Sequence, residues 1–222
     1  MTVVLQSLLH NPLLRNYFLS DCHNPHRCAR RMRLVSSQQP PTSNTVCLAC
    51  DMDELFSTFF SGDHAPFLPD HFLYSMWTYA EHLAGYAQQD AHELLMSIMD
   101  GIHSSCIDQT PASFLPSAGS THLRPPHPCR CIIHTVFGGT LRSDVTCSKC
   151  HTNSTALDDT LDLSLDITPI DSSGATANSN HRSQTPMKIT DCLTKFTHVE
   201  KLSHNQFFCS KVRGGRGKGD AY

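Results

Sequence analysis

Eleven cysteines and fifteen histidines stand in this chain of 222 residues, and six of the cysteines come in pairs separated by one or two intervening residues. Such pairs restrict the fold, because C-x-x-C and C-x-C spacings can place two sulfurs on one tetrahedral ion. No apolar run approaches the roughly 18 residues of a membrane-spanning helix. The opening MTVVLQSLLHNPLLRNYF lacks the basic start and small-residue cleavage site of a signal peptide. A reducing compartment, cytosolic or nuclear, is therefore expected, where metal binding and catalysis outrank disulfides as uses of cysteine. With 17 basic and 20 acidic side chains the net charge is -3, which argues against a general nucleic-acid binder. The short Gly/Arg tail VRGGRGKG does not outweigh that balance, and 39% hydrophobic residues are enough for a core.

Apolar spacing predicts helices on both sides of Asn11-Pro12, then a loop-like stretch over 22–50. A helix is expected from Asp51, with Asp51 as cap and Glu54 completing a capping box. Another is expected over about 69–82, carrying Trp77, the chain's only tryptophan. The stripe Leu94, Leu95, Ile98, Met99 and Ile102 marks a helix opened by Asp90, with Glu93 three residues on. Residues 109–128 are Pro/Ser-rich. IIHTVFGGTLRSDVTC and TALDDTLDLSLDI alternate and are read as strands. Residues 171–186 have the composition of a disordered insertion, TDCLTKF starts a short helix, and 212–222 are expected to be unstructured.

The cysteines and histidines sort into three groups. His26, Cys28, Cys47 and Cys50 supply four candidate ligands, with Cys22 and His23 in reserve. His103 and Cys106, on one helix face, are expected to meet Cys129 and Cys131, with His127 and His134 as substitutes. Cys147 and Cys150 need a further half-site. Cys209 is the downstream candidate, Val212 stands where a second C-x-x-C would close, and water, His151 or His204 is left as the fourth ligand. Zinc is the cofactor this donor chemistry suggests, and it would order loops that lack apolar anchors. Cys192 is assigned to the core.

Three segments together, PLLRNYFLSD, AGYAQQDAHELL and IIHTVFGGTLRSDVTCSKC, resemble the ubiquitin-specific proteases, and most of all their zinc-rich subfamily in the deubiquitinating module of the SAGA coactivator. The resemblance runs from Met1 to about Lys211. It implies an α+β, papain-like cysteine peptidase fold, present in part: a helical thumb over 1–108 with a zinc-loop insertion, then the start of the β fingers and palm over 109–211. It implies hydrolysis after the C-terminal glycine of ubiquitin. Gln88, Gln89 and Asp90 match the family's glutamine-aspartate box, and Gln89, Asp90 and Glu93 are the residues expected to bind the ubiquitin tail. Two carboxylates at a helix start suit that tail's arginines and backbone N–H groups. Cys147, Cys150 and Cys209 match zinc ligands at the tip of the fingers.

The family's nucleophile box would fall just before Met1, and its histidine box well beyond Lys211. No catalytic residue is therefore assigned in this chain, and the stretch by itself is expected to be inactive, because neither thiolate nor imidazole is supplied for acyl transfer. The expected partners are ubiquitin, ubiquitinated proteins including nucleosomal histones, and SAGA module subunits, in the nucleus or alternatively the cytoplasm. Membrane and direct nucleic-acid binding are not expected. The alternative is a non-catalytic, zinc-stabilised module that binds ubiquitin or holds a coactivator assembly together.

Overall fold

The computed structural model describes residues 2–36, 40–43, 45–63, 65–106, 129–167, 188–202, 209 and 219–221. They fall into two compact units, Met1–Gly138 and Gly139–Tyr222. The first unit is helical. The chain enters through α1 (Thr2–Leu9) and α2 (Pro12–Leu19), broken at Asn11-Pro12 as expected. Proline at the first position of α2 needs no donor there, and the Asn11 side chain accepts the N–H groups of Leu13 and Leu14 at 3.0 and 3.2 Å.

The first unit's core is organised on α4 (Leu48–Phe59). It packs against α2, α5 (Asp70–Tyr79) and α6 (Ala91–Cys106). Leu48, Met52 and Phe56 are buried along it, and the Phe56 ring stacks on Phe18 of α2 with centroids 5.1 Å apart. The predicted stripe of α6 buries Ile98, Met99 and Ile102. Gly101 lies where α6 crosses α4 and α5: a Cβ there would overlap Leu48 Cδ1 and lie 3.3 Å from Tyr79 Cε1.

Three expectations need correction. The stretch 22–50 is not all loop, because Ala29–Ser36 form α3 after a single 3-10 turn at Pro25–Arg27. Its Ala, Arg, Met and Leu are good helix formers, outweighed in the sequence reading by the Ser/Gln/Pro run that follows. Helix α4 starts three residues before Asp51, so Asp51 is no cap. It is buried in the first turn, where its carboxylate meets His71 Nδ1 of α5 at 3.2 Å and Arg31 of α3 at 3.9 Å. IIHTVF is α7 (Ile132–Phe137), not strand. Short apolar runs are ambiguous between the two periods, and burying Ile132 and Ile133 side by side against α6 and α2 settles it for helix.

In the second unit β1 (Gly139–Cys147) pairs antiparallel with β2 (Asn153–Thr160), from Gly139 opposite Thr160 to Thr146 opposite Asn153. Residues 161–167, expected to continue a strand, lie outside β2. The short helix is α8 (Ile189–Phe196), and the Asp191 carboxylate accepts from the Lys188 N–H at 3.3 Å. Then come β3 (Glu200–Lys201) and β4 (Gly219–Ala221), giving the sheet order β2-β1-β4-β3. The expectation of an unstructured tail does not extend to Gly219–Ala221. Strand pairing uses backbone groups, so a segment without apolar pattern can still close the open edge of β1. The Pro/Ser-rich stretch 109–128 and the insertion 171–186 lie outside the described residues.

Gly101→Ala is expected to destabilise the first unit by about 1–3 kcal/mol in denaturant titration, because overpacking against Leu48 outweighs the helix propensity gained. Asp53, also buried on α4, is pushed up to about 6 by its burial. A raised carboxyl binds its proton more tightly when folded, so stability falls as pH rises from about 4 to 6. Asp53→Asn should therefore stabilise the chain at pH 7 by up to about 3 kcal/mol, with a gain that shrinks as pH falls through 6.

Candidate metal centres and tail-binding groove

The first cluster forms where the chain turns out of α2 and where it enters α4. Asp21 takes a left-handed conformation (φ 54°), which an Asp tolerates, and sends His23 inward. Cys47 is the N-cap of α4 and Cys50 lies in its first turn, with the Cys50 N–H donating to the Cys47 carbonyl at 3.0 Å. That position faces thiolates with the positive end of the helix. His23 Nε2 is 3.2 Å from Cys50 Sγ and 3.5 Å from Cys47 Sγ, and Cys28 and Cys47 sulfurs are 3.6 Å apart. A tetrahedral zinc with ordinary bond lengths would need about 3.8 Å between sulfurs and about 3.6 Å between nitrogen and sulfur, so the donor set already has that shape.

All four side chains are buried, His23 completely. Without a cation they compete for protons. Hydrogen bonds from Cys47 and Cys50 hold the Cys28 thiol far below its ordinary value, while hydrogen bonding to Cys28 and Cys47 pushes Cys50 far above it. A divalent ion removes that conflict by neutralising the thiolates together. His26, expected in this group, lies exposed on the 3-10 turn and outside it; His23, held in reserve, takes its place. Cys22 also lies outside, its sulfur 3.8 Å from the Ser20 carbonyl.

The second cluster joins His103 of α6 to Cys129, Cys131 and His134. His103 Nδ1 stands 3.1 Å from Cys131 Sγ and 3.7 Å from Cys129 Sγ, and His134 Nδ1 stands 3.1 Å from Cys131 Sγ. Burial pushes the Cys131 thiol up to about 12. Cys106 does not join this group. Its sulfur lies 3.8 Å from His23 Nδ1, beside the first cluster. Once IIHTVF is a helix, the spacing of three from Cys131 to His134 is a one-face spacing, and that was the missed signal. His127 lies outside the described residues.

In the third cluster Cys147 ends β1, Cys150 follows in the turn, and Cys209 joins them. The knuckle is tight: the Cys147 N–H donates to the Thr152 carbonyl at 3.0 Å, and the His151 N–H to the Cys147 carbonyl at 2.8 Å. Cys150 and Cys209 sulfurs are 3.4 Å apart. The Thr152 hydroxyl and backbone, then Cys209, hold the Cys150 thiol down to about 6. Among the described residues this group has three ligands; His151 is not within it, and His204 lies outside the described residues.

The glutamine-aspartate segment lies elsewhere in the first unit. Gly85 turns the chain with φ 109°, Gln88 and Gln89 are exposed, and Asp90 starts α6. The Asp90 carboxylate accepts the His92 N–H through one oxygen at 2.8 Å, and the residue is exposed. Glu93 pairs with His82 at 3.3 Å instead of completing a capping box. Beside them Leu73, Met76, Trp77, Leu83, Tyr86 and Leu94 line a groove of about 420 Å³ that also includes Gln88, Gln89 and Asp90. Tyr86 stands 99% exposed at its rim, so an aromatic face is offered to whatever lies along the groove. This combination, an apolar channel with exposed carboxylate and amide groups at one end, can hold an extended basic peptide.

Known proteins agree with this picture. The family described as "Ubiquitin carboxyl-terminal hydrolase" matches residues 1–212. The mouse protein "Ubiquitin carboxyl-terminal hydrolase 22" is 40% identical over 211 residues, which cover 91% of this chain and 36% of the relative. "Ubiquitin C-terminal hydrolase 22" of Arabidopsis thaliana is 38% identical over 218 residues, covering 93% of this chain and 35% of the relative. The chain thus spans little more than a third of the length of these relatives. Among solved structures, a SAGA DUB module of Ubp8, Sgf11, Sus1 and Sgf73 bound to monoubiquitin aligns with a TM-score of 0.66 and 28% identity. The alignment covers 100% of this chain and 41% of that one. A yeast SAGA DUB module carrying an Sgf73 variant aligns with a TM-score of 0.63 and 27% identity, with the same coverage. The fold is accordingly the α+β one of papain-like ubiquitin proteases, and by the match across residues 1–212 the chain belongs to the ubiquitin carboxyl-terminal hydrolase family.

Proposed function

We propose that these 222 residues are the ubiquitin-gripping part of a cysteine-type deubiquitinase, a protein that hydrolyses the bond after ubiquitin's C-terminal glycine. The observation that carries this reading is the groove at the start of α6, lined by exposed Gln89 and Asp90, with Glu93 exposed three residues further along the helix. The ubiquitin tail is extended and basic, and carboxylates fixed at a helix start bind arginines and N–H donors by charge-assisted hydrogen bonds. The three Cys/His clusters are zinc sites on this reading. Thiolate and imidazole donors in tetrahedral spacing select zinc over oxygen-seeking cations. His23, Cys28, Cys47 and Cys50 hold one ion, and His103, Cys129, Cys131 and His134 hold a second. Cys147, Cys150 and Cys209 hold a third with one further ligand. Likeness to a SAGA module bound to monoubiquitin supports ubiquitin binding and assembly with subunits of that kind; a nuclear place of action and ubiquitinated histones among the substrates are part of the same proposal. No catalytic residue is assigned within residues 1–222.

Purified chain should carry about two to three equivalents of zinc, and a strong chelator should lower its melting temperature sharply; a metal-free sample that melts unchanged would remove the zinc sites. Ubiquitin titrated onto the chain should bind, with no turnover of a fluorogenic ubiquitin conjugate. Asp90→Asn keeps a good helix cap while removing the charge, and together with Glu93→Gln it should weaken binding by at least about tenfold. Unchanged affinity would overturn the tail-binding assignment, and turnover abolished by one cysteine of this chain would overturn the assignment of no nucleophile.

A further inference from the structure

Cys106 is left over by the clusters. It is fully buried at the end of α6, and the ligand groups take in His103 from the same helix turn without it. Its sulfur faces His23 from the side opposite the other sulfurs. His23 Nε2 looks toward Cys50 and Cys47, while Nδ1 looks toward Cys106 at 3.8 Å. A neutral imidazole that gives Nε2 to a metal must carry its proton on Nδ1. That N–H is buried with the ring and needs an acceptor, and a polarisable sulfur with its larger radius can serve at this distance.

Other contacts hold the same turn in place. The Ser105 hydroxyl donates to the Gly101 carbonyl at 2.8 Å, and Arg30 of α3 donates to the Ser104 carbonyl at 2.9 Å. Helix α3 directly follows Cys28, so the first cluster's own loop grips the turn that backs its histidine. A spacing of three would put His103 and Cys106 roughly on one face, yet they serve different clusters. The last turn of α6 thus lies between two metal sites.

We propose that Cys106 is a positioning residue of the first metal site: its sulfur accepts the Nδ1–H of His23, fixing the tautomer and ring angle that present Nε2 to the ion. This rests on the metal reading of that cluster. Outer groups of this kind are worth about 10–100-fold in metal affinity. The role differs from simple core filling, which would depend on the volume of residue 106 and not on its ability to accept a hydrogen bond.

The test uses the full chain carrying Cys150→Ser, so that only the first site keeps three sulfurs, with every variant compared in that background. It is loaded with cadmium, whose NMR resonance separates a three-sulfur, one-nitrogen site from a two-sulfur, two-nitrogen site, and chelator competition gives the affinity. Cys106→Val keeps the volume and removes the acceptor, and it should loosen the first site about 10–100-fold without changing its three-sulfur signature. Cys106→Ser restores an acceptor and should recover most of that loss. Equal affinity for Cys106→Val and the background chain, or Cys106→Ser worse than Cys106→Val, would overturn the proposal. A signature that loses a sulfur in either variant would also overturn it, by making Cys106 a ligand. Should the variants fail to fold, nitrogen NMR of the unaltered, metal-loaded chain decides. His23 protonated on Nδ1 supports the proposal, and His23 bound through Nδ1 overturns it. A background chain with no three-sulfur resonance would fail earlier, removing the metal reading of the cluster itself.

Discussion

Three thiols and an imidazole, buried at the first turn of the helix on which the first unit's core is built, are the constraint that organises that unit. Burial of so many ionisable groups is unfavourable unless one cation satisfies them together. With the ion in place the same groups become the cheapest fastening available to a chain whose 22–50 stretch has few apolar anchors. Cys47 and Cys50 lock the start of α4, and His23 and Cys28 tie to it the turn that leaves α2 and the turn that enters α3. Asp51 adds a polar tie from the same helix turn, its carboxylate 3.2 Å from His71 of α5 and 3.9 Å from Arg31 of α3. The position of α5 and α6 then follows from packing on α4.

Helix α6 transmits that order to the functional surface. Its 16 residues span about 24 Å. Its last turn contributes His103 to one candidate metal site and places Cys106 behind the histidine of another. Asp90, just before its first residue, lines the groove, and Glu93 is exposed in its first turn. A rod whose last turn meets two Cys/His clusters and whose length is buried through Ile98, Met99 and Ile102 keeps carboxylates at the other end in a fixed direction. The second unit follows the same economy: β1 and β2 are largely exposed strands, and the three sulfurs of Cys147, Cys150 and Cys209 close the end of the hairpin and bring a distant part of the chain to it.

Much of this was legible in the sequence, and the failures share a cause. The break at Asn11-Pro12 and the stripe of α6 were readable because local chemistry and tertiary packing agree there. Asp51 was misread as a cap since a carboxylate three residues before a Glu fits the local rule, whereas its actual partners, Arg31 and His71, come from other helices. His26 outranked His23 on spacing alone. Which histidine turns inward depends on the left-handed turn at Asp21, a backbone feature that residue types only weakly signal. Cys106 was grouped with His103 by helical periodicity, but the two contact different clusters because a helix face is wide enough to meet two neighbours. The family resemblance depended on motifs, which survive such local errors.

X-ray absorption at the zinc edge of the metal-loaded chain tests the central claim most directly, since it counts the sulfur and nitrogen neighbours of the bound ions without reference to activity. The account assigns eight cysteines and three histidines to three ions, so the average zinc should have between two and three sulfur neighbours at about 2.3 Å and the balance mainly nitrogen near 2.0 Å. A first shell dominated by oxygen or nitrogen would show the cysteines to be spectators, and with that the metal-organised fold proposed for both units would be wrong.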